Sequence, residues 1–212
     1  MLSVCETFSS IQGESTRAGK PCFFIRLAGC SCACSYCDTE YAKAPGRPYR
    51  IDELLALARD SGLKLVEVTG GEPMEQPETP LLCRRLLDEG FEVLLETNGT
   101  LPLGTVPSGV RRIVDCKLPS SGMAERNDVS NYPLLNADDE VKFVVGSRAD
   151  FDYAVAVIKM HRLTACGCEL LVSPVWGKVA LPELAEWVLE SGLPLRMQIQ
   201  MHKVIWGDRR GV

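Results

Sequence analysis

The segment Gly29-Cys30-Ser31-Cys32-Ala33-Cys34-Ser35-Tyr36-Cys37-Asp38-Thr39 holds four cysteines and directly follows the apolar run Pro21–Leu27. The apolar run predicts a buried strand, so the cysteine segment is predicted to be the loop at its carboxyl end. Cys30, Cys34 and Cys37 have the spacing Cys-x3-Cys-x2-Cys. Three thiolates from one short loop can ligate three irons of a 4Fe–4S cluster and leave the fourth iron open for a small molecule.

A structural zinc site is the alternative for these thiols. Zinc sites usually combine two ligand pairs that lie a dozen or more residues apart, and Cys166-Gly167-Cys168 could supply a second pair. The single residue inside that pair is tighter than the usual zinc spacing, which favours the iron–sulfur cluster. Cys32 could replace Cys30 as a ligand only with a cramped spacing to Cys34. Cys30 is therefore the favoured ligand, and the role of Cys32 stays open.

The composition is that of an ordinary globular protein. The chain has 212 residues, 46% hydrophobic and 24% charged, with a net charge of −5 that argues against a nucleic-acid partner. The N-terminus lacks the pattern of a signal peptide, and no run approaches the roughly 18 apolar residues of a membrane span. We therefore expect a cytoplasmic protein without a membrane partner. In that reducing compartment, its ten cysteines indicate metal binding rather than disulfides.

Short apolar runs recur along the chain with amphipathic stretches between them. The predicted strands are Pro21–Leu27, Leu63–Val68, Phe91–Glu96, Arg111–Asp115, Glu140–Val145, Glu169–Val172 and Leu195–Gln200. The predicted helices are Ile51–Asp60, Pro80–Glu89, Ala149–His161 and Pro182–Glu190. Continuous apolar runs are typical of a parallel sheet covered by helices, so the pattern predicts an α/β fold. Residues 116–139 lack periodicity and predict a long functional loop.

Polar or glycine-rich segments follow four of the predicted strands. They are Gly29–Thr39, Thr69–Pro73, Thr97–Gly99 and Asp115–Lys117. Because the carboxyl ends of parallel strands meet at one edge of a sheet, we expect these four segments to build one shared site.

The cysteine spacing, with Tyr36 before the last cysteine, resembles that of the radical S-adenosylmethionine (SAM) superfamily, and Gly70–Pro73 is similar to its motif for the cofactor's amino group. Within the superfamily, the chain resembles the 7-carboxy-7-deazaguanine synthase family. The segments that carry this likeness are Ser10–Glu14, Phe24–Cys30, Cys37–Thr39 and Gln198–Lys203, the last resembling the family's final strand. The resemblance implies a single radical SAM domain over residues 1–212, with a cluster loop at 29–39 and a C-terminal extension at 204–212. The implied fold is a partial, open TIM-like barrel of about six parallel strands with few helices.

The resemblance also implies a reaction, that of a carbon–nitrogen lyase in queuosine and deazapurine biosynthesis. The enzyme would convert 6-carboxy-5,6,7,8-tetrahydropterin to 7-carboxy-7-deazaguanine with loss of ammonia. Its cofactors would be a 4Fe–4S cluster, SAM and Mg²⁺, and one electron into the cluster would cleave SAM to a radical that takes hydrogen from the pterin. A reductant such as flavodoxin or ferredoxin, and a homodimer, are implied as well. The alternatives are a glycyl-radical enzyme activase, which shares the cysteine spacing, and a non-enzymatic iron–sulfur electron carrier.

The resemblance assigns site residues by role and gives no side chain a catalytic role. Thr39 would bind magnesium. The residues assigned to SAM are Tyr36, Cys37, Asp38, Gly71, Asp115, Cys116 and Lys117. The residues assigned to the substrate are Ile11, Gln12, Gly13, Glu14, Arg26 and Thr69. Glu96–Gly99 is interpreted as a strand-end turn with contacts on the cofactor side.

Several of these residues have a structural alternative. Arg26 would hold the pterin carboxylate with its guanidinium fork, or else form a structural ion pair. Thr39 is also a good helix N-cap. Lys117 would reach the carboxylate of SAM, or else lie exposed on the surface. In the C-terminal extension, either Asp208 or the terminal carboxylate of Val212 could contact the substrate.

Overall fold

The computed structural model describes every residue from Met1 to Val212. Its strands are β1 (Leu2–Ile11), β2 (Pro21–Leu27), β3 (Arg47–Tyr49), β4 (Leu65–Gly70), β5 (Glu92–Thr97), β6 (Arg111–Cys116), β7 (Glu140–Val145), β8 (Glu169–Pro174) and β9 (Leu195–Met197). Its α-helices are α1 (Ile51–Asp60), α2 (Thr79–Asp88), α3 (Arg148–Met160), α4 (Leu181–Ser191) and α5 (Met201–Trp206). No helix is long and apolar enough to cross a membrane.

All nine strands form one sheet in the order β3-β1-β2-β4-β5-β6-β7-β8-β9. From β2 to β9 every neighbouring pair is parallel, while β1 and β3 extend one edge in antiparallel pairing. Because β3 and β9 lie at opposite edges, the sheet is open, as predicted. Seven strands run parallel, one more than the resemblance implied, and the four helices predicted from the sequence are all present, with bounds within one residue.

The two faces of the sheet differ in what they bury. One face packs against α1 to α4 through two large apolar clusters, to which β2 contributes Phe23, Ile25 and Leu27. Side chains alternate along a strand, so Cys22, Phe24 and Arg26 lie on the opposite face, which we call the inner face. Its apolar cluster has only five buried residues. The inner face is therefore polar toward the carboxyl ends of the strands, where a site is expected.

Strand β1 was not predicted, and a β-bulge between Val4 and Glu6 explains why. Leu2 and Val4 pack in an outer cluster, whereas beyond the bulge Glu6 pairs in register with Arg26 of the inner face. The bulge interrupts the simple alternation by which a strand is recognised. Its consequence is to place a carboxylate beside Arg26.

The remaining differences from prediction lie in short elements. The predicted strand Leu195–Gln200 ends at Met197, and Gln198–Lys203, which resembled a final strand, instead leads into α5. The predicted loop 116–139 contains three 3₁₀ turns, at Pro119–Ser121, Ala124–Arg126 and Val129–Leu134. Cys166 and Cys168 were expected to be reduced, but they are joined by a disulfide.

Candidate active site

The cysteine loop follows β2 at the carboxyl edge of the sheet, and backbone contacts from both sides hold it there. On the β4 side, the Glu72 amide donates to the Gly29 carbonyl at 2.8 Å, and the Ser31 amide donates to Glu75 Oε1 at 2.7 Å. On the β6–β7 side, the Ser35 amide donates to the Ser121 carbonyl at 3.1 Å. The loop is therefore anchored by the elements that follow β4 and β6.

The three predicted ligands, Cys30, Cys34 and Cys37, are half-buried, whereas Cys32 is only 3% exposed. Burial raises the pKa of Cys30 and Cys34, so these thiols ionise readily only with a cation or metal nearby. No three potential ligands converge as a single metal ion requires. A cubane cluster places its ligands on separate irons, so the donor set fits a 4Fe–4S cluster better than zinc.

The predicted cofactor residues Tyr36 and Asp38 are both engaged with other parts of the chain. The Tyr36 hydroxyl donates to the Val144 carbonyl at 3.2 Å, which ties the cluster loop to β7. Burial disfavours the Asp38 carboxylate, but Lys203 at 3.4 Å, the Gln200 amide and Lys142 together outweigh it and lower the pKa of Asp38. Of these two residues, Asp38 is therefore the one that carries a charge.

Gly71 lies directly against the cluster loop. A Cβ at this position would lie 2.1 Å from the Gly29 carbonyl oxygen and 2.9 Å from the Cys30 Cβ, so glycine is required by close packing. The neighbouring Glu72 is fully buried, and its carboxylate accepts from Met74 N, Thr97 Oγ1 and Asn98 N. Of this motif, then, only backbone groups are available to a cofactor.

At the end of β6, the Cys116 side chain faces the core, whereas Asp115 and Lys117 face the site. Cys116 points into an outer apolar cluster, where the Tyr132 hydroxyl donates to its sulfur, so its predicted cofactor contact is limited to the backbone. Lys117 is buried and donates to Asp115 Oδ2 at 2.6 Å, which excludes the surface-lysine alternative. Burial lowers the pKa of Lys117, but Asp115 and Cys34 outweigh it and raise the pKa. Lys117 therefore presents a permanent positive charge near Cys34.

Deeper on the inner face, Glu14, Glu67, Glu96 and Lys142 form a group that we call the charged layer. Lys142 Nζ bridges Glu14 Oε2, at 2.9 Å, and Glu96 Oε1. These four residues line a small polar pocket, together with Gln12, Ser15 and Ile113. The layer thus concentrates three carboxyl groups around one cation on the inner face, with Glu67 and Lys142 midway along their strands.

The members of the charged layer shift one another's pKa values in opposite directions. Burial raises the pKa of Glu67 well above its usual range, and the nearby Glu96 raises it further. Burial also disfavours the Glu96 carboxylate, but Lys142 outweighs it and lowers the pKa of Glu96 to about 2. Burial lowers the pKa of Lys142, but Glu14 and Glu96 outweigh burial and raise this pKa well above its usual range. Glu67 therefore holds its proton to higher pH than an ordinary glutamate, while Glu96 and Lys142 favour their charged forms.

The predicted substrate residues from the first loop and from β4 surround this layer. The Gln12 side chain is buried between the Glu14 amide, which donates to its Oε1 at 2.9 Å, and Glu67, which accepts from its Nε2. Thr69 Oγ1 donates to Glu96 at 3.1 Å. Ile11 ends β1 and is paired with the edge of β2. Gln12 and Glu14 thus line the pocket while bonded within the protein, and Thr69 is linked to the layer through Glu96.

Arg26 forms the structural ion pair that was its alternative role, and it also keeps N–H groups without a partner in the protein. Its Nε donates to Glu6 Oε1 at 2.9 Å, and the Tyr41 hydroxyl donates to the same oxygen at 2.8 Å. Its two Nη groups make no hydrogen bond within the protein, and both stay partly accessible to solvent. The ion pair with Glu6 therefore fixes the guanidinium and leaves its outer edge available to an anion.

Helix α5 covers the substrate loop. The Met201 amide donates to the Gly13 carbonyl at 2.9 Å, and a Cβ at Gly13 would lie 2.2 Å from His202 Nδ1. Burial lowers the pKa of His202, which favours the neutral imidazole. Beyond α5, the Arg210 guanidinium lies 4.1 Å from the centre of the Tyr41 ring, whereas Asp208 is exposed. The C-terminal segment therefore packs over Gly13 and Tyr41, on the substrate loop and beside Arg26.

Thr39 precedes the 3₁₀ turn Glu40–Lys43 but makes no side-chain capping bond. Its hydroxyl lies 3.9 Å from Cys37 Sγ and has no closer partner. The structural alternative of an N-cap is therefore not realised, and the hydroxyl oxygen is available to a ligand.

The sequence reasoning missed Glu67, Lys142 and the environment of Glu96. In Glu140-Val-Lys142-Phe-Val-Val, a lysine interrupts a strand that is otherwise buried. A charge at this point indicates a paired or functional group, because an unpaired buried ion is costly. The strand was interpreted as a continuous apolar run, which concealed this signal.

Comparisons with known proteins agree with this geometry. The family model of the radical SAM superfamily matches residues 24–164. The chain is 46% identical to 7-carboxy-7-deazaguanine synthase of Chlorobaculum tepidum, over 100% of this chain and 97% of the relative. It is 37% identical to the enzyme of the same name from Koribacter versatilis, over 97% of each chain. The crystal structure of QueE from Escherichia coli matches with a TM-score of 0.70 at 22% identity, over 95% of this chain and 94% of that chain, which supports the fold.

Proposed function

This chain belongs to the 7-carboxy-7-deazaguanine synthase family of the radical SAM superfamily, and we propose that it converts 6-carboxy-5,6,7,8-tetrahydropterin to 7-carboxy-7-deazaguanine with loss of ammonia. The observation that carries the proposal is the proximity of the three-cysteine loop to the charged layer, since Asp38 of the loop lies near enough to Lys142 and Glu96 for both charges to act on its pKa. A cluster loop alone would suit many radical reactions. The polar, enclosed layer beside it suits a small substrate rich in nitrogen.

The residues that would hold the cofactors lie on the cluster loop and its neighbours. Cys30, Cys34 and Cys37 would ligate a 4Fe–4S cluster, which, once reduced, supplies the electron that cleaves SAM into the hydrogen-abstracting radical. Lys117, fixed by Asp115, would pair with the carboxylate of SAM. The backbone at Gly71 would accept from its amino group. These contacts orient the cofactor on the cluster and exclude water from it.

The residues that would hold the substrate lie on the inner face. The free edge of the Arg26 guanidinium matches a carboxylate, since two parallel N–H groups are available. Glu14 would accept from the amino groups of the pterin ring, and Thr69 would contribute its hydroxyl. Ile11, Gln12 and Gly13 would offer backbone groups, because Gln12 is committed to Glu67 and Gly13 is covered by α5.

Magnesium would bind at Thr39, between the cluster loop and the substrate. Mg²⁺ prefers hard oxygen donors and keeps several of its ligands as water or substrate atoms. The Thr39 hydroxyl is free of capping bonds, and Asp38 next to it is anionic. One protein hydroxyl, together with oxygen atoms of the substrate, therefore suffices for this ion.

Turnover under anaerobic conditions tests the proposal. Reconstituted protein, dithionite, SAM and Mg²⁺ should consume the carboxypterin and release 7-carboxy-7-deazaguanine, with deoxyadenosine as coproduct, as followed by chromatography and mass spectrometry. Deoxyadenosine without consumption of the pterin would move the assignment toward a glycyl-radical enzyme activase. No deoxyadenosine above background would overturn radical chemistry altogether.

Neither alternative is favoured by the relatives, which cover the whole chain and carry the synthase name. An electron carrier would also need a fourth cluster ligand and no cofactor pocket. Flavodoxin or ferredoxin as reductant, a homodimeric assembly and a cytoplasmic location stay predictions.

A further inference from the structure

The side-chain amide of Asn98 faces two sulfur atoms of the cluster loop. Its Nδ2 lies 3.4 Å from Cys32 Sγ and 3.8 Å from Cys30 Sγ, within hydrogen-bond reach of sulfur. Asn98 is 8% exposed and follows the end of β5, so it approaches the loop from within the protein. Asn98 is thus a buried side chain that contacts the sulfur of the predicted cluster ligand Cys30.

The orientation of this amide is fixed. Asn98 Oδ1 accepts from the Thr100 amide at 3.0 Å and from the Thr100 hydroxyl at 2.8 Å, so Nδ2 must be the end that faces the sulfurs. The backbone amide of Asn98 donates to the fully buried Glu72 carboxylate at 2.6 Å. Glu72 and Thr100 thus hold the donor in place before any cluster binds.

Cys32 is the second sulfur that this amide faces. It is the nearer sulfur and is buried, whereas the three predicted ligands are half-buried. This is the arrangement expected of a thiol that packs inward instead of binding iron. Because the amide carries two N–H groups, one can donate to Cys32 and the other to Cys30.

We propose that Asn98 is a positioning residue whose amide donates one N–H to the Cys30 thiolate of the bound cluster, while its other N–H is held by Cys32. Hydrogen bonds to ligand sulfur stabilise the reduced, more negative cluster and raise its reduction potential. Asn98 thus sets how readily the cluster accepts its electron. This inference rests on the proposed assignment of Cys30, Cys34 and Cys37 as ligands.

A redox titration of the reconstituted protein, followed by electron paramagnetic resonance, tests the proposal. Asn98→Leu should make reduction of the cluster about tenfold less favourable, a shift of about 59 mV for one electron, with iron and sulfide content unchanged. Cys32→Ala should change the potential much less than Asn98→Leu, because the N–H that faces Cys30 remains.

Thr100→Val keeps the amide but loosens its orientation, so it should lower the potential by a smaller amount. This variant covers the case in which Asn98→Leu does not fold. Ser35→Ala is the matched control, since that hydroxyl donates to the Ser120 carbonyl and should leave the potential unchanged. An unchanged potential in both Asn98→Leu and Thr100→Val, or a Cys32→Ala shift as large as that of Asn98→Leu, would overturn the proposal. A Cys30→Ala variant with full iron and sulfide content would instead overturn the ligand assignment.

Discussion

The cluster loop lies at the carboxyl edge of the sheet and the charged layer lies deeper on its inner face, and the two satisfy their polar groups in opposite ways. The three predicted ligand thiols of the loop have few protein partners: Asn98 reaches Cys30, and Thr39 lies near Cys37. In the charged layer, every member is paired within the protein, and Lys142 bridges two of the carboxylates. The thiols of the cluster loop are therefore available to an external group, whereas the charges of the layer are paired with one another.

This difference separates two kinds of preorganisation. The loop is held by its backbone while its sulfur atoms stay available, which suits a group that binds after folding. The layer is held by its side chains, so its charges are fixed before substrate arrives and need little rearrangement during the reaction. Substitutions in the loop should therefore affect cofactor content, and substitutions in the layer should affect folding as well as binding.

The largest effect is expected from the loop. Cys34→Ala removes a central ligand, so the reconstituted variant should lose most of its iron and sulfide and form no deoxyadenosine above background. Its stability should change little, because Cys34 is half-buried and packs in no apolar cluster. Iron and sulfide analysis, together with urea unfolding of the protein without cluster, measures both quantities.

Cys32→Ala is the matched control, since this cysteine lies in the same loop and is expected to retain full iron and sulfide. If Cys32→Ala lost the cluster and Cys30→Ala kept it, the alternative ligand set of Cys32, Cys34 and Cys37 would be correct.

The layer should show the opposite behaviour. Lys142→Met leaves the carboxylates of Glu14 and Glu96 buried without their cation, which should lower the free energy of unfolding by about 3–5 kcal/mol. Urea denaturation of the protein without cofactors measures this loss.

Lys203→Met provides the comparison, because its ammonium pairs with the half-exposed Asp38 and should contribute about 1 kcal/mol or less. Adding Glu96→Gln to Lys142→Met should restore part of the lost stability. A Lys142→Met protein as stable as the parent would show that the layer is not held together by this cation.

The same contrast explains what could be predicted from the sequence. The cluster loop is contiguous, and its spacing alone indicated an open-iron cluster. The strands that carry the layer were also predicted, because long apolar runs are strong signals. Lys142 and Glu67, however, come together only after β4, β5, β6 and β7 have assembled into the sheet. No local sequence pattern indicates that these two side chains will lie close together.

The edges of the fold were missed for a different reason. Strand β1 is bulged, β3 has only three residues, and α5 has six, so none repeats a pattern often enough to be recognised. These elements nevertheless place functional groups. The bulge in β1 brings Glu6 to Arg26, and α5 brings His202 to Gly13.

Arg26 joins the two regions and should show a smaller, specific effect. Arg26→Lys removes the fork that would bind the pterin carboxylate, so KM for the pterin should rise about 10- to 100-fold, the loss expected for a charged hydrogen bond. Deoxyadenosine formation in the absence of pterin should be unchanged. Steady-state kinetics over a range of pterin concentrations checks both.

Arg111→Lys, at the opposite end of the sheet and paired with Asp138, is the control and should leave KM unchanged. Equal KM values for Arg26→Lys and the parent would assign Arg26 to its ion pair with Glu6 alone.

The smallest effect concerns how the stability of the charged layer depends on pH. The pKa of Glu67 is raised in the folded protein, so the stability that it contributes is fully present below its unfolded pKa and is lost as pH rises through the folded value. Glu67→Gln keeps an acceptor for Gln12 but cannot ionise. Above pH 5, the parent should therefore lose stability relative to this variant, and the gap should widen up to pH 8. Urea midpoints of both proteins at several pH values measure the gap, and a constant difference would mean that Glu67 is ionised in the folded state.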